Sequence, residues 1–235
     1  MMNFPAFEGL AGKRLLVVGG SSGIGQAVAA MAAAHGASVT IVGRDAARLA
    51  EAAASIGGEG SALDMLDESA VEGFFAGNAP FDHVVITAAQ LRSGPIRDLS
   101  LADARATFDS KFWGSYLIAR HAKIVDGGSL TLTSGAGGRR PRAGRAAVAA
   151  ATVAVETLTR VLASEFVPVR VNCVSPGLVD TPLLRSVRPA SSPPPPQPVA
   201  RVARPEEIGF QILACALNPF MTGAIVDVDG GLALT

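Results

Sequence analysis

Apolar residues follow two rhythms along this chain. Short unbroken runs bounded by turn residues predict strands buried on both faces: Arg14–Val18, Ser38–Val42, a short run ending near Leu63-Asp64, His83–Thr87, Gly128–Thr133, Val169–Val174 and Ile225–Val228. Between them, repeats of three and four predict helices after the glycines at 19–25, over Ala46–Ile56, 67–77, Leu101–Lys123 and Ala143–Phe166. Strands alternating with helices of this length imply an α/β fold, a doubly wound parallel sheet of about seven strands with helices on both faces. No internal repeat or linker divides the chain, so residues 1–235 are expected to form a single domain.

The first strand runs straight into Gly19-Gly20-Ser21-Ser22-Gly23-Ile24-Gly25, and an alanine-rich helical pattern starts where the glycines stop. A strand, a tight turn and a helix N-terminus make an anion cradle, because the first helical N–H groups lack intrahelical partners. Side chains at Gly19, Gly23 or Gly25 would crowd that turn or hold a phosphate off. Gly19, Ser21, Ser22, Gly23, Ile24 and Gly25 are therefore candidate nucleotide contacts. The adenine ribose of a bound dinucleotide would lie beside the tip of the second strand. There the chain has Val42-Gly43-Arg44, with no acid and a guanidinium suited to a 2′-phosphate, which favours NADP(H) over NAD. Asp45 either pairs with Arg44 or caps the next helix. Asp64 either accepts from the adenine amino group or forms a turn.

Composition trims the partners. Lys+Arg and Asp+Glu both number 20, and a net charge of zero gives no reason to expect nucleic acid. No uninterrupted apolar run approaches the roughly 20 residues of a membrane span, so no membrane is expected. A mean hydropathy of +0.37 then points to apolar surface shared between subunits. The N-terminus has no basic-then-apolar leader, and Cys173 and Cys215 sit in apolar segments without metal spacing. Both features suit a cytoplasmic protein.

The whole chain resembles the short-chain dehydrogenase/reductase family. The resemblance is carried in order by Gly19-x-x-x-Gly23-Ile24-Gly25, Asp64, Ser134, Asn172-x-x-x-Pro176-Gly177, Thr181 and Val228-Asp229-Gly230-Gly231. It implies a Rossmann-type sheet and a nicotinamide cofactor lying across the strand ends, flanked by Pro176, Gly177, Val179 and Thr181. Thr87-Ala88-Ala89-Gln90 stands where the family commonly has Asn-Asn-Ala-Gly, so Ala88 and Ala89 are expected beside the cofactor. It also implies a homodimer or homotetramer, paired in part through the helix bearing Val148, Ala151, Val155, Leu158 and Leu162.

Family chemistry uses a serine, a tyrosine and a lysine four residues after it. Ser134 fits the first role, but the pair falls at Ala147 and Ala151 or at Val148 and Thr152, depending on alignment. Neither supplies a titratable group, and the chain has only Tyr116 and three lysines, Lys13, Lys111 and Lys123. Lys111 occupies the place where the family usually has a supporting asparagine; it either reaches into the site to act with Ser134 or is a solvated helix lysine. Tyr116 is read as a core or interface aromatic. Arg139, Arg140, Arg142 and Arg145 either line a substrate rim for an acidic or carrier-bound small molecule or face water. The proline-rich stretch at about 182–204 is expected to be a stiffened flap over the site, with a proline ligand for a partner domain as the alternative.

The expectation is an NADP(H)-dependent oxidoreductase acting on carbonyl or activated C=C bonds with a non-standard active site. Two alternatives stand beside it: an inactive NADP(H)-binding sensor or partner subunit, and a non-redox cyclase or dehydratase on the same scaffold.

Overall fold

The computed structural model describes residues 7–188, 191–193 and 195–235. Seven parallel strands form one sheet in the order β3-β2-β1-β4-β5-β6-β7. They are β1 (Arg14–Val18), β2 (Ser38–Gly43), β3 (Glu59–Ala62), β4 (Phe81–Ile86), β5 (Ile124–Thr133), β6 (Arg170–Pro176) and β7 (Ile225–Val228). The doubly wound sheet anticipated from the apolar runs is the observed fold. Its order reverses beside β1, which pairs with β2 on one side and β4 on the other. That reversal opens a crevice at the carboxyl ends of the strands.

The alternation along β1 shows why its run is wholly apolar. Leu15 and Val17 pack under α1 (Gly23–Ala34), α2 (Ala46–Ile56) and α8 (Pro205–Leu217). Leu16 and Val18 face the opposite layer, with α3 (Glu68–Gly77), α5 (Gly114–His121) and α6 (Ala146–Glu165). A strand covered on both faces has no polar side to show. The expected stripe on α6, from Val148 to Leu162, is buried throughout. By length and mean hydropathy alone α6 is apolar enough to cross a bilayer, but its apolar run is broken by Glu156 and Arg160. The stripe itself is packed against the sheet.

Beyond shifts of a few residues at strand ends, such as β5 starting at Ile124 rather than Gly128, the helices differ from the sequence reading in three ways. The expected helix Leu101–Lys123 is three pieces: α4 (Leu101–Phe108), a π-turn over Asp109–Trp113, and α5. One wide turn hardly disturbs a repeat of three and four, so periodicity does not reveal it. The expected start of α6 at Ala143 is blocked at Gly144, whose φ is +77°. Helix α8 was not foreseen, although Pro205 at its first turn and Glu206 and Glu207 behind it are start signals.

At the crevice, the ends of β1 and β4 are tied together. The Val18 carbonyl accepts from Thr87 N at 2.9 Å, Ala88 N at 3.0 Å and Thr87 Oγ1 at 3.0 Å. This closeness is why glycine is required at two positions. Gly19 has φ +90°, and a Cβ there would lie 2.6 Å from Ala88 N; a Cβ on Gly25 would collide with Gly19 O and come within 2.5 Å of Thr87 Oγ1. Since the Gly25 clash involves backbone, Gly25→Ala is expected to lower stability by about 3 kcal/mol. Urea unfolding checks this.

Candidate functional site

A groove of about 490 Å³ runs along the crevice. Gly19, Ser21, Ser22, Gly23, Ile24, Gly25, Arg44, Asp64, Ala88, Ala89 and Thr181, all singled out from the sequence, line it. The helix behind the glycines, like α6, starts without a side-chain cap. Asp45, Asp67 and Ser100 each cap their helix by accepting a backbone N–H, whereas Ser22 at the start of α1 makes no such bond. The first-turn N–H groups of α1 are thus left for something else in the groove, and an anion is what they suit.

At the tip of β2, Arg44 is exposed and, among the described residues, has no ion pair or hydrogen bond. Of the two roles for Asp45, the structure shows the cap: it accepts from Arg48 N at 3.1 Å and pairs with Arg48 Nε at 2.6 Å. The Arg48 hydrogen bonds hold its carboxyl below the ordinary value. Asp45 therefore does not compete for Arg44. Asp64 lines the groove and also makes the turn, with Oδ1 accepting from Leu66 N at 3.0 Å.

The groove continues into an inner pocket of about 300 Å³, with Ile24, Thr87, Ala89, Thr181 and Leu183 common to both. Pro176, Gly177 and Val179 line the pocket together with Lys111 and Ser134. Helix α6 presents Val148 and Thr152 there, whereas Ala147 and Ala151 do not line it. At those positions the pocket wall is a valine and a threonine whose Oγ1 donates to Ala149 O at 2.9 Å.

Lys111 reaches the pocket from the π-turn and is 4% exposed. Of the two readings of this lysine, the solvated one is excluded. Its Nζ lies 3.5 Å from Thr133 Oγ1, which itself donates to Ile86 O at 3.1 Å. Among the described residues no carboxylate pairs with it, and burial pushes its pKa down to about 8. The thiol of Cys173 faces the same region and is pushed up to about 11, chiefly by burial.

The residue that sequence reasoning missed is Glu156. It is 5% exposed on α6, and its Oε1 accepts from Ser134 Oγ at 3.0 Å. Its Oε2 accepts from Arg139 Nη2 at 3.3 Å, and Arg139 also pairs with Asp227 on β7. A signal was present: Thr152, Glu156 and Thr159, four and three residues apart, put polar groups on the buried face of an otherwise apolar helix. The arginine cluster consequently divides. Arg139 is held internally, Arg140 donates to Leu232 O and Thr235 Oγ1, and Arg142 and Arg145 stand exposed on the lining of the pocket.

The flap expectation needs correction. Pro189, Ala190 and Pro194 lie outside the described residues. What borders the cavities is the segment of α7 (Pro182–Arg185) and its neighbours, through Leu183, Leu184 and Val187. The described part of 191–204 lines neither cavity. It is fastened to the C-terminal turn instead, with Val199 N donating to Gly230 O and Pro196 O accepting from Thr235 Oγ1, while Gln197 Nε2 braces the segment internally by donating to Val199 O and Arg201 O. Gly230 and Thr235 lie 30 or more residues further along, beyond the reach of local pattern.

Comparison with known proteins agrees with this fold. The family model described as enoyl-(acyl carrier protein) reductase matches residues 18–233. A solved short chain dehydrogenase/reductase family protein superposes with a TM-score of 0.90 at 34% identity, covering 96% of this chain and 99% of that one. A small-chain dehydrogenase in complex with NADPH gives 0.81 at 32% identity, over 95% and 100%. The short-chain dehydrogenase/reductase MalC of Malbranchea aurantiaca is 29% identical over 96% of both chains. Its structure, titled a reductase/Diels-Alderase, has a TM-score of 0.85 over 96% of this chain and 98% of that one.

The unpaired lysine has a measurable consequence. The folded pKa of Lys111 lies below the ordinary 10.5, so folding penalises its charged form. The penalty is complete below about pH 8 and lifts as pH rises toward 10.5. Lys111→Met is expected to stabilise the fold at pH 7 by on the order of 3 kcal/mol. The gain should shrink between pH 8 and 10.5, as read by denaturant unfolding across pH.

Proposed function

The chain belongs to the short-chain dehydrogenase/reductase family of oxidoreductases, and from that membership we propose that it is an NADP(H)-dependent reductase of carbonyl or polarised C=C groups with a non-standard active site. The observation that carries this reading is the cation of Lys111, buried in the inner pocket with no counter-ion among the described residues. A buried unpaired charge is unfavourable for folding, which makes it a candidate for chemistry.

The residues present fit the cofactor of the family. The uncapped N-terminus of α1 and the glycines at 19–25, where a Cβ on Gly19 would fill the space beside Ala88, suit a pyrophosphate. The unpaired Arg44 suits a 2′-phosphate, and Asp64 stands at the adenine end of the groove by resemblance. A bound nicotinamide would supply or accept a hydride. The chain itself would hold the substrate oxygen: the ammonium of Lys111 donates to it and stabilises the negative charge that grows there as a carbonyl or enone is reduced. Arg142 and Arg145 on the pocket lining favour an acidic or carrier-bound substrate. Trp113 and Tyr116, 48% and 37% exposed next to Phe112 on the pocket's helix, together with Val153 and Val161 on α6, support pairing with a second copy.

A second reading, ring closure without hydride transfer, has one observation in its favour. Where the family's tyrosine and lysine are expected, the wall is Val148 and Thr152, and a relative with 29% identity has a structure titled for both activities. NADPH oxidation followed at 340 nm over panels of ketones and enones separates the readings; silence across both panels would leave the reductase without support.

Two outcomes follow from the proposed roles. Arg44→Ala should weaken NADPH binding by about 10- to 100-fold, the loss of a charge-assisted contact. NADH binding should stay within about threefold, so paired titrations read the difference. The rate of reduction should fall as pH rises through about 8, where Lys111 loses its proton. Lys111→Met should abolish that limb and lower kcat by about a hundredfold.

A further inference from the structure

Five hydroxyl groups on the walls of the inner pocket already give their protons to the protein. Thr87 donates to Val18 O, Thr133 to Ile86 O, Thr152 to Ala149 O and Thr181 to Val179 O. These acceptors are neutral carbonyls, and a hydroxyl can turn away from such a partner toward a ligand. Ser134 is different. Its partner is a carboxylate oxygen of Glu156 at 3.0 Å, and a charge-assisted bond of that kind is roughly twice as strong as a neutral one.

We propose that Glu156 is a positioning residue that fixes the polarity of Ser134, so that Ser134 meets the ligand as a hydrogen-bond acceptor and the pocket selects a hydroxyl-bearing ligand at that point. A hydroxyl has one proton and two lone pairs. With the proton turned to Glu156, only lone pairs remain for the pocket that Ser134 lines. The carboxylate cannot rotate out of this arrangement, because Arg139 holds its other oxygen at 3.3 Å and Asp227 holds Arg139. Other groups facing the pair leave this assignment intact. The Thr159 hydroxyl donates to Val155 O within α6, and Lys111 is directed to Thr133. The Cys173 thiol of β6 also lies within hydrogen-bond reach of Ser134, but its proton goes to Val174 O and, as a thiol, it draws the Ser134 proton less strongly than the Glu156 carboxylate does. The floor of the pocket is thereby divided: Lys111 offers N–H donors to a carbonyl oxygen, and Ser134 accepts from an alcohol. This deepens the reductase reading, since the ketone and alcohol forms of one substrate would each have their own partner.

Replacing Glu156 by glutamine reverses the polarity. Arg139 can only donate, so the amide oxygen must face it and the amide NH₂ must face Ser134. Ser134 then accepts from the amide and turns its own proton into the pocket.

The test uses a matched pair of probes, cyclohexanol and cyclohexanone, whose ring is shared and whose donor is not. Binding to the full-length chain is measured by saturation-transfer NMR without cofactor. It is repeated with NADPH for the alcohol and NADP⁺ for the ketone, pairings that cannot react. Ser134→Ala should weaken cyclohexanol by about tenfold and leave cyclohexanone within about twofold. Glu156→Gln should shift the ratio of the two dissociation constants by about tenfold toward the ketone, and should have no such effect in a Ser134→Ala background. Equal weakening of both probes by Ser134→Ala, or an unchanged ratio in folded Glu156→Gln protein, overturns the proposal. If Glu156→Gln does not fold, the Ser134→Ala pair decides alone. Because the readout is binding, a chain that never oxidises NADPH can still show the shift. Failure of the reductase reading is therefore seen separately.

Discussion

The Val18 carbonyl accepts three hydrogen bonds from Thr87 and Ala88, drawing the end of β4 onto the end of β1. The position of the crevice follows from that closure. Strands on either side run away from β1 in opposite directions, and the loop after β1 must leave the sheet without a side chain in the space Ala88 occupies. Gly19 and Gly25 are the residues that permit it. Once the loop is so placed, α1 starts in the crevice with its first turn uncapped, and the groove, the free Arg44 and the inner pocket fall along one line of strand ends.

Electrostatics then distinguish the two halves of the inner pocket. Lys111 is a buried cation with no carboxylate beside it, while Glu156 is a buried carboxylate clamped by Arg139. These charges do not neutralise each other. Had they met, each would have lost its hold on a ligand and the pair would be an ordinary interior ion pair, neutral in net effect at best. Kept apart, one leaves a donor and the other, through Ser134, leaves an acceptor. The separation arises from backbone: the π-turn shifts the register of the helix around Lys111, and α6 carries Glu156 two turns beyond Val148.

Local pattern reveals the parts of this arrangement that depend on neighbours in sequence. Continuous apolar runs gave away strands such as β1, because burial on both faces leaves no polar alternation. The glycine turn, Arg44 at a strand tip and the cap at Asp45 are likewise short-range features. What stayed hidden depends on contacts across the chain or on one-residue changes in helical phase. The Ser134–Glu156 bond joins positions 22 apart, and the proline segment finds its partners at Gly230 and Thr235. The π-turn shifts helical phase by one residue, too little for a repeat of three and four to betray, so Lys111 could be read either as a solvated residue or as a buried one. Helix α8 is masked because Pro205, which opens it, reads as one more proline of the extended stretch before it.

If, as the resemblance implies, α6 is where the family carries a tyrosine and a lysine, the proposed site need not lack acid–base character, because what it would require is charge at the pocket rather than those side chains on that helix. Val148 and Thr152 withdraw titratable groups from one wall, and Lys111 restores a cation from a different helix. An ammonium entering from the π-turn must be dehydrated to get there, and its pKa near 8 records that dehydration. The family's arrangement, by resemblance, uses a lysine to lower the pKa of a tyrosine; here burial does the corresponding work on the lysine itself. Desolvation lowers the pKa but leaves the charged form penalised at pH 7, so the fold carries this cost at the pocket, while the buried carboxylate of Glu156 is engaged by Arg139 and Ser134 instead.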